Sequence, residues 1–159
     1  MSKLNDYYQH KGTTTLQHCL NVAVYSFYFA EKLGWEIEEY TLARGAMLHD
    51  YYLYTVEEEQ KKSNLTDYRH GTTHPQIALE NASKVFRLSR KEQNIIRSHM
   101  WPLTFTHIPK SKEAWLISMA DKYCAVREMY GTQKALDPDI RSPWIRDLAL
   151  RKMKHAMHR

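Results

Sequence analysis

Three histidines and two aspartates stand inside otherwise apolar stretches of this chain, where a lone polar side chain has little to gain, and a fourth histidine directly precedes a proline. His18 lies in LQHCLNVAVYS, His49 and Asp50 in GAMLHD, His74 just before Pro75, His99 in NIIRSHMWPL and Asp121 in WLISMADKYCAV. Imidazole nitrogen and carboxylate oxygen together make a donor set for a divalent transition metal. The adjacent pair His49-Asp50 closes an apolar run, so both side chains can converge on one ion beyond a helix end. Asp121 is flanked by Met119, Ala120 and Cys124, which places its carboxylate toward the interior. A buried, unpaired carboxylate is expensive and calls for a metal, a cation or hydrogen-bond donors; Lys122 could supply an ordinary salt bridge instead. A single histidine is more often structural or exposed than a ligand. It is the set, drawn from nine histidines in 159 residues, that points to metal chemistry.

These side chains need rigid elements to bring them together, and the sequence supplies helices. Thr13 or Thr14 can cap a helix that runs to about Leu33, with Gly34 as its stop. Leu16, Leu20, Ala23, Phe27, Ala30 and Leu33 keep the three- and four-residue spacing of one helical face. A second helix is expected from about Glu36 to Asp50, with Leu42, Ala43, Ala46 and Met47 along one side. His74-Pro75 opens a third, because proline suits a first helical turn. Ser89-Arg90-Lys91-Glu92 reads as a capping box for a fourth that must finish near Met100, before Pro102. Ser111 can cap a fifth reaching Tyr130, and Ser142-Pro143 starts a sixth. The polar stretch between Tyr51 and Thr73 is long for a connection in a small domain, which marks it as functional or mobile.

The expected fold is therefore all-α, one domain over residues 1–159, with about six helices around a metal site. With 5 Gly and 5 Pro the chain has few breakers, and 43% hydrophobic against 26% charged residues is an ordinary balance for a soluble domain. No stretch approaches the roughly 18–20 apolar residues that span a bilayer. The first fifteen residues lack the apolar core and cleavage site of a secretory signal. Cys19 and Cys124 sit in apolar helical segments, as thiols do in a reducing compartment. The chain is expected to be cytoplasmic. A net charge of +5 would suit nucleic acid, but the basic residues are scattered except at the end, and no nucleic-acid-binding motif occurs. The same field draws a small anionic substrate.

The order His…His-Asp…His…His…Asp resembles the HD-domain superfamily of metal-dependent phosphohydrolases. The residues that carry the likeness are His18 before Val22-Ala23, LHD at 48–50, HP at 74–75, His99 and Ala-Asp at 120–121. HGTTHPQIALENA and SHMWPLT are similar to a group of small bacterial HD proteins. The resemblance implies that His18, His49, Asp50 and Asp121 hold one divalent ion. His74 and His99 would add a second, with Asp50 bridging the two; iron or manganese is favoured over zinc, cobalt or nickel. It also implies hydrolysis of a small phosphate ester, a nucleotide being one candidate, by a water that the metals activate. Asp50 and His70 are the catalytic candidates, with His10, His70, Lys122 and Arg127 as substrate contacts; His70 is also an alternative to His74 as ligand. Tyr51, Tyr52 and Tyr54 could wall a base, although core packing suits at least one of them. Two features depart from the common pattern. Leu53 stands where many members carry Lys or Glu, and the Gly-Tyr-Pro signature of the cyclic-dinucleotide branch is missing after His99. A sensor without turnover and a di-iron oxygenase are the competing readings of the same ligands.

Overall fold

The computed structural model describes residues 8–10, 13–51 and 67–130, with positions 143, 147, 150, 151 and 154 each helical. Five helices build the described part: α1 (Thr15–Lys32), α2 (Glu39–Leu48), α3 (Asp67–Val85), α4 (Arg90–Ser98) and α5 (Lys112–Met129). A short antiparallel hairpin of β1 (Tyr8–His10) and β2 (Thr13–Thr14) precedes them. The architecture is the expected all-helical bundle, and the helical positions from 143 to 154 fall where the sixth helix was expected. No described helix is long and apolar enough to cross a membrane.

Local chemistry sets the helix ends. The hydroxyl of Thr14 accepts from the N–H of Gln17 at 3.2 Å and opens α1. Gly34, at φ +62°, closes it. There the Gly34 N–H reaches Glu31 O and the Trp35 N–H reaches Ala30 O, so the last carbonyls keep partners. Ser89 and Glu92 form a reciprocal capping box on α4, and the Ser111 hydroxyl accepts from the Ala114 N–H to start α5.

Two expected boundaries move. The second helix begins at Glu39 rather than Glu36, because Glu38 is extended and gives its N–H to Glu113 Oε1 at 2.8 Å. The third begins at Asp67, so Pro75 is an interior residue rather than a first-turn one. Proline there removes one backbone hydrogen bond and crowds the carbonyl of Gly71. Pro75 is itself buried, and Ala78, Leu79 and Ala82 pack the helix into the core behind it. Tertiary packing has overridden a local breaker.

Helix α1 packs on α5 and α2, α2 also meets α4 and α5, and α3 lies against α4. The larger core joins α1, α2, α4 and α5 through Val22, Phe27, Leu42, Ile95 and Leu116. A smaller one gathers Leu48, Tyr51, Ala78, Leu79 and Ile96 under α3. Full burial of a Leu, Ile or Phe is worth about 1.5–3 kcal/mol, so these two clusters hold the helices in register. The candidate ligands stand at their junction: Cys19, Met47 and Ala120 beside them belong to the first cluster, and Leu48 and Tyr51 to the second.

Candidate metal centre

All six residues singled out for metal binding come together, although they span more than one hundred positions of the chain. None is more than 6% exposed. They form two groups, His18 with His49 and Asp121, and Asp50 with His74 and His99; within each, the donor atoms lie within 4.8 Å of one another.

Helices α2 and α4 end in the same way. His49 and His99 are their C-cap residues, and the Nδ1–H of each donates to the carbonyl three residues back, Ala46 and Ile96, at 2.7 Å. A carbonyl can only accept, so the proton must be on Nδ1 in both rings. The bond satisfies a carbonyl that a helix end would otherwise leave open. It also turns each Nε2 toward the other helices. His18, in the first turn of α1, presents Nδ1 to Glu128 and Nε2 to Asp121, at 3.1 Å.

Asp50 stands between the two groups and divides its oxygens between them. Oδ2 lies 3.4 Å from His49 Nε2 and 3.8 Å from His18 Nε2. Oδ1 lies 3.3 Å from His74 Nε2 and 3.4 Å from His99 Nε2. Metal–nitrogen and metal–oxygen bonds of roughly 2.1 Å put neighbouring ligand atoms about 3.0–3.4 Å apart. The observed spacings sit close to that range, and the pair His74 Nε2–His99 Nε2, at 2.8 Å, is only slightly tighter. His49 Nε2 is buried and has no hydrogen-bond partner among the described residues. An orphaned polar atom inside a protein costs about 1–3 kcal/mol, and a cation at this point would relieve it. Cys19 Sγ lies 4.0 Å from His49 Nδ1, on the other side of the ring from Nε2, so the donor set is nitrogen and oxygen. The residues fit a divalent ion.

Electrostatics lead to the same conclusion. Burial pushes His18 down, but hydrogen bonds to Asp121 and Glu128 outweigh it and raise its pKa to about 10. His49 is likewise depressed by burial and carried well above its usual value, chiefly by the Asp50 charge. Burial works against ionisation of Asp50, yet His49, then His74 and His99, hold it well below the ordinary carboxylate range. Asp121 is depressed as well: burial opposes its ionisation, but the hydrogen bond from His18 Nε2 and the nearby His49 ring overcome it. His99 moves the other way, lowered first by burial. Protons on His18 and His49 thus balance buried carboxylates where an ion would otherwise do so, and metal binding to such a site releases them.

The remaining sequence candidates separate. The ammonium of Lys122 donates to His99 O at 2.8 Å, to Ser118 O at 3.1 Å and to Ser118 Oγ at 3.0 Å. An ammonium has three donors, so Lys122 is occupied as a brace under the end of α4 rather than open to a substrate. Burial lowers its pKa, and Asp121 only partly opposes this. Arg127 donates to the Tyr123 hydroxyl at 2.9 Å and lies over that ring, about 120° around α5 from Asp121. His10 falls in β1 and His70 one turn before His74 on α3, but their side chains lie outside the described residues, as do Tyr52, Leu53 and Tyr54. Tyr51 is buried edge-on against Phe86, a core role. The residue that sequence reasoning missed is Glu128. It is fully buried and accepts from His18 Nδ1 through both oxygens, at 2.9 and 3.0 Å. Its signal was the seven-residue step from Asp121, two turns along the same face of α5.

Neither the curated proteins nor the solved structures contain a match to the chain. The family model for the HD domain matches residues 15–126, a span that takes in all six candidate ligands. The chain belongs to the HD-domain family.

Proposed function

We propose that the chain is a metal-dependent phosphohydrolase acting on a small phosphate ester, with Asp50 held between two divalent ions. The observation that carries this reading is the division of the Asp50 carboxylate, one oxygen toward His18 and His49 and the other toward His74 and His99. A carboxylate in that position can hold two cations close together without a third residue. Bound divalent ions supply an activated water near neutral pH and stabilise charge that develops on phosphate oxygens.

The chain's own residues do the rest. The backbone carbonyls of Ala46 and Ile96 fix His49 and His99, so the ligand face does not have to reorganise when an ion or substrate arrives. Lys122 and Ser118 hold the His99 carbonyl from α5 and tie the two halves of the site together. The positive balance of the chain favours an anionic substrate, and a nucleotide fits that chemistry. His10 and His70 are proposed as substrate contacts, His70 also moving a proton. Iron or manganese is favoured for a nitrogen and oxygen donor set without thiolate.

The test is phosphate release from a panel of nucleotides and simple phosphomonoesters, with protein stripped and reloaded with iron, manganese, cobalt, nickel or zinc. Release that depends on the added metal supports the proposal. A protein that binds metal yet releases no phosphate from any ester would favour a sensor or an oxygenase.

A further inference from the structure

Three of the candidate ligands, His18, His49 and His99, have a described Nδ1 partner, and they are not held alike. His49 and His99 donate to neutral backbone carbonyls. His18 donates to a carboxylate, and Glu128 meets it with both oxygens from the second helical turn beyond Asp121. The side chain of Glu128 is 0% exposed. A carboxylate taken wholly out of water loses its solvation, and only a well-placed donor offsets that loss. Here the donor is the ring that also faces Asp121 and Asp50.

We propose that Glu128 is a positioning residue for His18, and that it makes the His18–His49–Asp121 group the tighter of the two ion positions, the one that fills first. The inference rests on the metal-centre reading above. Two physical effects carry it. The carboxylate keeps the proton on Nδ1, so Nε2, which faces Asp121 and Asp50, is the nitrogen left to bind an ion once its own proton is released. Its negative charge also makes that nitrogen a stronger donor than one backed by a carbonyl. The carboxylates are shared unequally as well: Asp121 and, behind His18, Glu128 serve the first group, whereas among the described residues the second has only Asp50, which it shares. If Glu128 merely neutralised a buried imidazole, its loss would lower stability without altering one metal affinity selectively.

The experiment is a calorimetric titration of metal-stripped full-length protein with Mn²⁺, for wild type, Glu128→Gln, Glu128→Ala and His74→Ala. Wild type should show two binding phases, and His74→Ala should lose the weaker one, which assigns it. Glu128→Gln keeps an oxygen acceptor but no charge, and should weaken the tight phase about ten-fold; Glu128→Ala should weaken it closer to about a hundred-fold. The weaker phase should move less than about two-fold in both. Circular dichroism checks that each variant folds. Should the Glu128 variants fail to fold, nitrogen-15 spectra of zinc-loaded wild type decide: His18 should carry its proton on Nδ1 and its metal on Nε2, and the reverse would overturn the proposal. A wild type that binds no Mn²⁺ would overturn the metal-centre reading and this proposal together. Two ions of equal affinity, or a tight phase indifferent to Glu128→Gln, would overturn this proposal alone.

Discussion

Gly45 lies inside α2, where alanine would ordinarily be the better residue, and replacing it tests how closely the site-bearing helices are packed. A Cβ at this position would lie 2.8 Å from Cγ2 and 2.9 Å from Cδ1 of Ile95, and 3.1 Å from Cδ1 of Ile117. Non-bonded carbons rest at about 3.5–4.0 Å, so the Ile95 contacts are short by about 0.6–1.2 Å. The Cδ1 methyls can swing aside, but Cγ2 is fixed by a β-branched side chain with one favoured rotamer in a helix. Ile95 is fully buried in α4, so relief requires α4 to move away from α2. Overpacking of this kind costs about 1–3 kcal/mol, against a gain of about 1 kcal/mol from helix propensity. With the rigid methyl taking the cost to the upper end of that range, Gly45→Ala should destabilise by about 2 kcal/mol, or about 4–8 °C in Tm for a chain of this size. Thermal unfolding followed by circular dichroism measures it. In an Ile95→Ala background both short contacts disappear, and the same substitution should become neutral or stabilising. A Gly45→Ala protein as stable as wild type in the native background would refute the close approach of α2 to α4.

Three further outcomes can be checked on single variants. Ser89→Ala removes half of the capping box on α4 and should cost about 1 kcal/mol by denaturant titration, with little change in activity. Lys122→Met should lower stability by about 1–3 kcal/mol, because the His99 carbonyl is left with the Ser118 hydroxyl alone and Ser118 loses the ammonium; it should leave the KM for a phosphate ester nearly unchanged, whereas a large rise in KM would restore Lys122 as a substrate contact. Glu113 is raised by burial but brought below its ordinary 4.5, first by the Glu38 N–H. Its contribution is therefore present above pH 4.5 and lost as pH falls through the lower folded value, so Glu113→Gln should flatten that part of the acid-unfolding profile.

Much of this site could be read from residue order because most of its candidate ligands are polar groups set in apolar helices. His18, His49, Asp50, His99 and Asp121 each violate the apolar pattern around them, and such local inconsistencies mark candidate sites; His74, in the polar TTHPQ, was legible only from its place in the family's residue order. Thr14, Gly34, Ser89 and Ser111 were legible for a similar reason, since caps are written in short-range chemistry. Tertiary facts were not. Pro75 breaks a helix in isolation, yet the burial of Ala78, Leu79 and Ala82 carries α3 through it. Lys122 looked like a phosphate contact until the chain brought the His99 carbonyl beneath it, twenty-three residues away in sequence. Glu128 follows Arg127 near the end of a helix and resembles surface in sequence; only the arrival of α1 buries it against His18.

Whether Asp50 serves two ions is read from the metal bound per chain. Elemental analysis of anaerobically prepared, metal-saturated wild type and Asp50→Ala should give two equivalents for the first and one or fewer for the second, with helical content unchanged and metal-dependent phosphate release lost. A wild type that saturates at one ion, or an Asp50→Ala protein that still binds two and still releases phosphate, would contradict the two-ion role of Asp50.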